Sequence, residues 1–215
     1  MKEKDQLGFI HRFIPSVHHT QGRSMTLLLL HGTGGNENDL IQIARMIETA
    51  GASILSPRGK ILENGMPRFF RRLSEGVFDI EDLKFRTYEL ADFLQNASKV
   101  YKFDPEQTIA VGYSNGANIA ASMLLLRPEA LAGAVLFRAM VPFEPESVPN
   151  LSGKQIFMSA GLHDPIIPSR RTKDLLYLLR KTGSNVSLKW QNSGHQLTQS
   201  DVSEAREWLS ASFTA

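Results

Sequence analysis

The 215-residue chain contains no cysteine. That excludes a disulfide framework, a thiolate metal site and a cysteine nucleophile, and it leaves no trace of an oxidising compartment. No apolar stretch approaches the ~20 residues that a membrane helix needs. The polar start, Met1 to Gln6, lacks the hydrophobic core of a leader, so a cytoplasmic protein with no membrane partner is expected. In that setting the N-x-[ST] strings at Asn96, Asn150 and Asn185 are chance matches rather than glycan sites. An excess of one charge is also missing: 24 Lys and Arg against 22 Asp and Glu leave a formal net charge of +2. No basic run is interleaved with aromatics, which argues against a nucleic-acid partner and for a small-molecule substrate. Internal repeats and low-complexity tracts are absent too. With 42% hydrophobic and 21% charged residues, the composition is that of an ordinary globular chain, and the length fits one domain over residues 1–215.

Strand-like and helix-like segments alternate along the chain, the pattern of an α/β domain. Strands are predicted at 8–14, 25–30, 52–56, 108–113, 133–137, 155–160 and 186–191, most of them short apolar runs. Between them, Asn38 or Asp39 can cap a helix whose inner face carries Leu40, Ile43, Ala44 and Ile47. A longer helix over 81–102 stacks Leu90, Leu94, Ala97 and Tyr101, and others are predicted at 115–126, 169–182 and 200–211. Apolar strands alternating with such helices imply a mostly parallel central sheet with helices on both faces. In such sheets a ligand sits outside the carboxyl ends of the strands.

One of those ends carries Gly112-Tyr113-Ser114-Asn115-Gly116, a serine between two glycines where a strand gives way to a helix. A serine hydroxyl is a weak nucleophile, so it must be held at the tip of a sharp turn within reach of a base. Such a turn leaves room only for small residues two positions away on either side. The base and its partner follow in the next loops: Asp164 after the strand 155–160, and His195 after the strand 186–191. Ser, Asp, His is the chain order of an α/β-hydrolase triad. The strand 25–30 ends in His31-Gly32-Thr33-Gly34-Gly35, a turn that can aim the Thr33 N–H into the same site. Together with the Asn115 N–H at a helix N-terminus, it would form an oxyanion hole. Neither G-x-G-x-x-G nor the Lys-Ser/Thr ending of a phosphate loop accompanies these glycines.

With these motifs in this order, the chain resembles the phospholipase/carboxylesterase family of α/β-hydrolases, small esterases without a lid domain that include acyl-protein thioesterase-like and bacterial carboxylesterase members. The resemblance spans nearly the whole chain. It rests on His31-Gly32-Thr33-Gly34-Gly35, on the Ser114 motif, on Gly161-Leu162-His163-Asp164-Pro165 and on Gly194-His195, and the segment from Arg71 to Phe93 resembles a bacterial branch of predicted carboxylesterases. It implies hydrolysis of carboxylic esters by a serine mechanism on Ser114, Asp164 and His195, with no metal and no cofactor. Asn115 stands where the thioesterase-like members tend to carry Gln, so protein depalmitoylation is not carried over. The alternatives are a thioesterase, a lysophospholipase, or a binding protein that has kept the pocket without turnover. If the chain associates, a homodimer is the commonest form.

After Phe137 the segment 138–154 is too short for a lid, so the site is expected to be open. The segment 57–79 reads as a long loop, with Arg68, Phe69 and Phe70 as a substrate wall. Phe69 and Phe70 serve equally well as anchors to the core. Arg68 would favour an anionic ester. Ile166 and Ile167, beside the acid, either offer an apolar surface to the acyl group or simply pack. Asp164, taken alone, is a turn former before Pro165. His31 reads as support for the oxyanion turn and His163 as pointing away from its neighbour Asp164. Arg170 and Arg171 open a helix where the dipole disfavours cations, which marks either an anion or interface nearby or a solvated face. His18 and His19 have no acidic partner at ligand spacing.

Overall fold

Strand β2 (Thr26–Leu30) is apolar without alternation, and in the computed structural model, which describes residues 7–16, 25–48 and 51–213, all of it is buried. A strand of this kind must be covered on both faces. Leu28 and Leu30 enter one apolar cluster and Leu27 and Leu29 a second. The same division runs through β8 (Thr108–Tyr113), β9 (Gly133–Phe137) and β10 (Gln155–Gly161). There Ala110, Leu136 and Met158 join the first cluster, and Val111, Phe137 and Phe157 the second. Helices α2 (Ile80–Tyr101), α3 (Asn115–Leu126) and α4 (Ser169–Lys181) close the first face with Leu90, Ala120 and Leu175. The second is closed by α1 (Ile41–Ile47) and α5 (Gln199–Ser212) with Ala44 and Ala205. Burying one leucine contributes about 1.5–3 kcal/mol, so these two clusters dominate the stability of the domain.

With β1 (His11–Ile14), β3 (Ser53–Pro57) and β11 (Asn185–Gln191), the sheet has the order β1-β3-β2-β8-β9-β10-β11. Only β1 runs antiparallel, against β3. The chain steps outward from β2 to β3 and then returns past β2 to β8. That reversal opens a crevice between the carboxyl ends of β2 and β8. The arrangement is an α/β-hydrolase fold with helices on both faces, and residues 139–154 contain neither helix nor strand, so no lid domain is inserted there. Among the described residues no helix is long and apolar enough to cross a membrane.

Three details differ from the sequence-based expectations. The first strand begins at His11 rather than at residue 8, because Gly8 takes a left-handed φ of 73°. Neither Asn38 nor Asp39 caps α1; Leu40 occupies the cap with no side-chain bond. Asp39 instead accepts the Asn36 N–H at 3.2 Å and Asn38 accepts from Arg12 at 2.9 Å. The segment 57–79 is not an irregular loop but two hairpins, β4 (Ile61–Glu63) with β5 (Met66–Arg68), and β6 (Arg72–Ser74) with β7 (Val77–Phe78). Asn64-Gly65, both at positive φ, makes the first turn, a dipeptide that favours tight hairpins.

Candidate active site

Ser114 sits between β8 and α3 with φ 53° and ψ −114°. A non-glycine residue held at such angles costs about 1–3 kcal/mol and needs surroundings that impose it. Its N–H donates to the Phe137 carbonyl at 2.9 Å, tying the turn to the end of β9. A Cβ on Gly112 would lie 2.6 Å from Ala117 Cα, and one on Gly116 only 1.9 Å from the Leu30 carbonyl oxygen. The two glycines are therefore required by packing, not merely permitted.

The hydroxyl of Ser114 lies 2.9 Å from His195 Nε2, and His195 Nδ1 lies 2.8 Å from Asp164 Oδ2. In the neutral enzyme the hydroxyl donates to Nε2 while Nδ1–H donates to the carboxylate. Asp164 also accepts the N–H groups of Ile166 at 2.8 Å and Ile167 at 3.0 Å through Oδ1. One carboxylate thus shapes its own turn with one oxygen and faces the imidazole with the other. The loops after β10 and β11 touch backbone to backbone, since a Cβ on Gly161 would lie 2.2 Å from the Gly194 carbonyl oxygen. That close approach brings Asp164 to His195. The His163 imidazole stands apart from Asp164 and His195, with Nε2 3.0 Å from Asn192 Oδ1, while its N–H donates to Ser193 O at 3.0 Å and helps join the two loops.

Thr33 and Asn115 both line the cleft with Ser114. Neither the Thr33 nor the Asn115 N–H has an acceptor among the described residues. Asn115 opens α3, where first-turn N–H groups lack intrahelical partners. The turn carrying Thr33 is fixed by His31, which is buried, donates Nδ1–H to Gly32 O at 2.6 Å and accepts the Gly59 N–H on Nε2 at 2.9 Å. Burial holds the His31 imidazole below its ordinary pKa, more than the Gly32 bond raises it. The neutral form is also the one that both hydrogen bonds need. Further ties run from the Gly34 N–H to Pro67 O at 2.9 Å and from Arg68 Nη1 to Thr33 Oγ1 at 2.8 Å.

The serine opens onto a cleft of about 340 Å³ whose walls include Arg68, Arg72, Phe78, Met140, Ile166 and Ile167. Arg68 is 3% exposed and its Nε lies 3.3 Å from Glu63, which it shares with Arg72 at 2.6 Å. Burial lowers the Arg68 pKa from its ordinary value, and the Arg72 bond holds the Glu63 carboxyl low. Phe69 and Phe70 do not line the cleft. At 2% and 0% exposure they belong to the first core cluster, with Phe70 edge-on to Phe78 at 5.0 Å. The chain turns inward as it leaves β5, so Arg68 meets the cleft and the two aromatics pass beneath it. Arg171 donates to Gly76 O at 2.7 Å, pinning the second hairpin, while Arg170 is exposed. His18 and His19 lie outside the described residues. Among the described residues no three His, Asp or Glu side chains are grouped to hold a metal.

Tyr113, Arg138 and Asp201, all close to the His195 loop, do not stand out as site residues in the sequence. Arg138 is a charge abutting an unbroken apolar strand, and Thr198-x-x-Asp201 has the capping-box spacing at the head of α5. The first signal marks a charge at the end of a buried strand, and the second a helix start whose carboxylate is held in place by its cap.

A sequence model of the phospholipase/carboxylesterase family matches residues 15–213. MhqD of Bacillus subtilis (strain 168) is 50% identical over 182 residues, covering 85% of this chain and 90% of that protein. The crystal structure of the Bacillus cereus carboxylesterase superposes with a TM-score of 0.94 at 49% identity, covering 99% of this chain and 98% of that one. The structure of YahD with malic acid superposes with a TM-score of 0.87 at 33% identity, over 95% of this chain and all of the other.

Proposed function

The chain belongs to the phospholipase/carboxylesterase family of serine hydrolases, and from that premise we propose that it hydrolyses small or short-chain carboxylic esters through an acyl-enzyme on Ser114. The observation that carries this reading is the unbroken relay Ser114–His195–Asp164, with steps of 2.9 and 2.8 Å, at the floor of an open cleft. His195 takes the serine proton as Oγ attacks the ester carbonyl. Asp164 holds the imidazole in the right tautomer and balances the imidazolium, and the Thr33 and Asn115 N–H groups take up the oxyanion. The C–O bond to the alcohol then breaks, with His195 donating the proton to the leaving oxygen. Water repeats the sequence on the acyl-enzyme and frees the acid.

A cleft of about 340 Å³ is at the small end of ligand sites, which supports a short acyl chain over a lipid one. Ile166, Ile167 and Met140 offer it an apolar wall. Arg68, on the charged side, suits an ester that also carries a carboxylate; YahD, whose structure contains malic acid, is a relative in which a carboxylic acid is bound. The lack of cysteine fits a reducing compartment, and we place the enzyme in the cytoplasm. The test is labelling of the folded protein with a serine-reactive fluorophosphonate, mapped by peptide mass, with turnover of nitrophenyl esters and matched thioesters of increasing acyl length. Label on Ser114, with best turnover of short esters and a loss of roughly 10⁴-fold or more in Ser114→Ala, is the expected result. Faster thioester turnover would replace the ester assignment, and an unlabelled folded protein would leave only a binding role.

A further inference from the structure

Directly after β9 the backbone turns through a left-handed residue, Arg138, with φ 56° and a side chain wholly out of solvent. A fully buried guanidinium at a strained position requires a reason, and its bonds point to one. Nη1 and Nη2 form a fork on Asp201 at 2.7 and 2.9 Å. Nη1 also lies 3.4 Å from Ser159 Oγ, and Nη2 3.1 Å from Ser193 Oγ. The remaining bonds reach the histidine loop: Nε donates to Gly194 O at 3.2 Å and Nη2 to Gln196 O at 2.8 Å. The carbonyl between these two, that of His195 itself, accepts from Tyr113 Oη at 3.1 Å. Three consecutive carbonyls centred on the base are therefore held by two side chains.

Those side chains are not placed at random along the chain. Tyr113 precedes the nucleophile. Arg138 follows Phe137, whose carbonyl accepts the Ser114 N–H at 2.9 Å, and the Arg138 N–H is itself anchored to Ser159 O at 2.9 Å. The strand ends that fix Ser114 thus also fix the two donors that fix His195.

We propose that Arg138 is a positioning residue for catalysis: it sets the height and tilt of His195 against Ser114 by clamping the carbonyls on either side of the imidazole. The inference rests on the serine-hydrolase reading and goes beyond it, because ion pairing with Asp201 alone would leave the His195 loop untouched. Lysine keeps the charge at this position but not the planar fork, so it cannot hold Asp201 and both carbonyls together.

The experiment compares wild type with Arg138→Lys and with the double variant Arg138→Met, Asp201→Asn. The double variant removes the charge from both partners and keeps an acceptor for the α5 cap, so the outcome does not depend on one substitution folding. For folded variants, judged by circular dichroism and melting, kcat for a nitrophenyl ester should fall about 10- to 100-fold, the loss that follows from misplacing a reacting group by about 1 Å. KM should stay within about twofold, since neither substituted residue lines the cleft. The rate of fluorophosphonate labelling at Ser114 should fall in parallel, and the downfield proton resonance of the His195 Nδ1–H···Asp164 bond should broaden or move. Folded variants that keep wild-type kcat, labelling rate and resonance overturn the role of Arg138 alone. A wild-type protein that takes no label overturns the serine mechanism and this role with it.

Discussion

Replacing Gly116 with alanine adds one methyl group at the most crowded point of the elbow. The new Cβ would sit 1.9 Å from the Leu30 carbonyl oxygen and 2.6 Å from that of His31, where ordinary contact begins at 3.4 Å. Leu30 and α3 must therefore separate by about 1.5 Å, and both contacts are backbone, so no side-chain rotation relieves the clash. Overpacking of this kind costs about 1–3 kcal/mol and sometimes more. For a chain of 215 residues that is a fall in Tm of roughly 2–12 °C, at 2–4 °C per kcal/mol. The function should suffer more than the stability. His31 leads into the turn bearing Thr33, so the displacement shifts the N–H proposed for the oxyanion relative to Ser114, and a shift of about 1 Å is enough to cost roughly 100-fold in kcat. Gly153→Ala is the control: its φ is 84° but nothing lies within 4 Å of the added atom, and the amino end of β10 is remote from the site. It should lose about 1–2 kcal/mol from backbone strain alone and keep full activity. The assay is thermal unfolding beside ester turnover for both variants. If Gly116→Ala melts within about 2 °C of wild type and retains half its kcat, sterics do not dictate glycine at this position of the elbow.

Asp164→Asn keeps an oxygen for the Ile166 and Ile167 N–H groups but not the charge that selects the histidine tautomer. We expect kcat to fall by roughly 10³- to 10⁴-fold with little change in Tm, and a melting loss of more than a few degrees would assign the residue mainly to the turn. Arg68→Gln should raise KM for an ester bearing a carboxylate several-fold more than for its neutral analogue; equal changes in the two KM values would remove charge recognition from the cleft wall. His31, whose pKa is lowered chiefly by burial, predicts a pH effect on stability. Below about pH 6.5, the ordinary histidine value, the unfolded chain takes up a proton that the folded one refuses. The contribution is therefore complete above that pH and is lost as the pH falls toward the folded value. Wild type should lose more Tm than His31→Gln between pH 7.5 and 5, and parallel curves would contradict the assignment.

Much of this site was legible because each motif sits where a strand meets a loop; the buried strands β2, β8 and β10 show as apolar runs, and the edge strand β11 as an alternation. The strands 108–113 and 133–137 and the helix 115–126 coincide with the structure to the residue. Asp164 and His195 were placed for the same reason: the loops after two parallel neighbours, β10 and β11, emerge on the same side of the sheet. What stayed hidden depends on direction rather than position. Phe69 and Phe70 follow Arg68 in an aromatic, basic stretch that reads equally as a wall or as an anchor to the core, and only the backbone turn after β5 decides that one residue faces the cleft and the next two the core. Arg138 was missed because a cation in a loop is normally solvated; its partners, the Gly194 and Gln196 carbonyls and Asp201, are more than fifty residues away in the chain.

Two sides of the cleft are tied to the helix that follows Ser114. Asn115 Oδ1 accepts the Phe69 N–H at 2.8 Å, and one turn later Asn118 Oδ1 accepts the Met140 N–H at 3.0 Å. Both asparagines are almost wholly buried, and the Nδ2 of Asn115 has no partner among the described residues. An orphaned amide of this kind costs about 1–3 kcal/mol, so its retention points to the value of the acceptor oxygen on the same group. That oxygen ties the backbone next to Arg68, a wall residue, to the first residue of α3, and Asn118 ties the Met140 wall to the same helix. A glutamine at position 115 would carry its oxygen one methylene further out and displace Phe69 from the buried place it holds. The side chain at position 115 is therefore coupled to where the segment carrying Arg68 lies beside the cleft. With no lid inserted after β9, the helix that follows Ser114 thus holds both of these walls in place beside it.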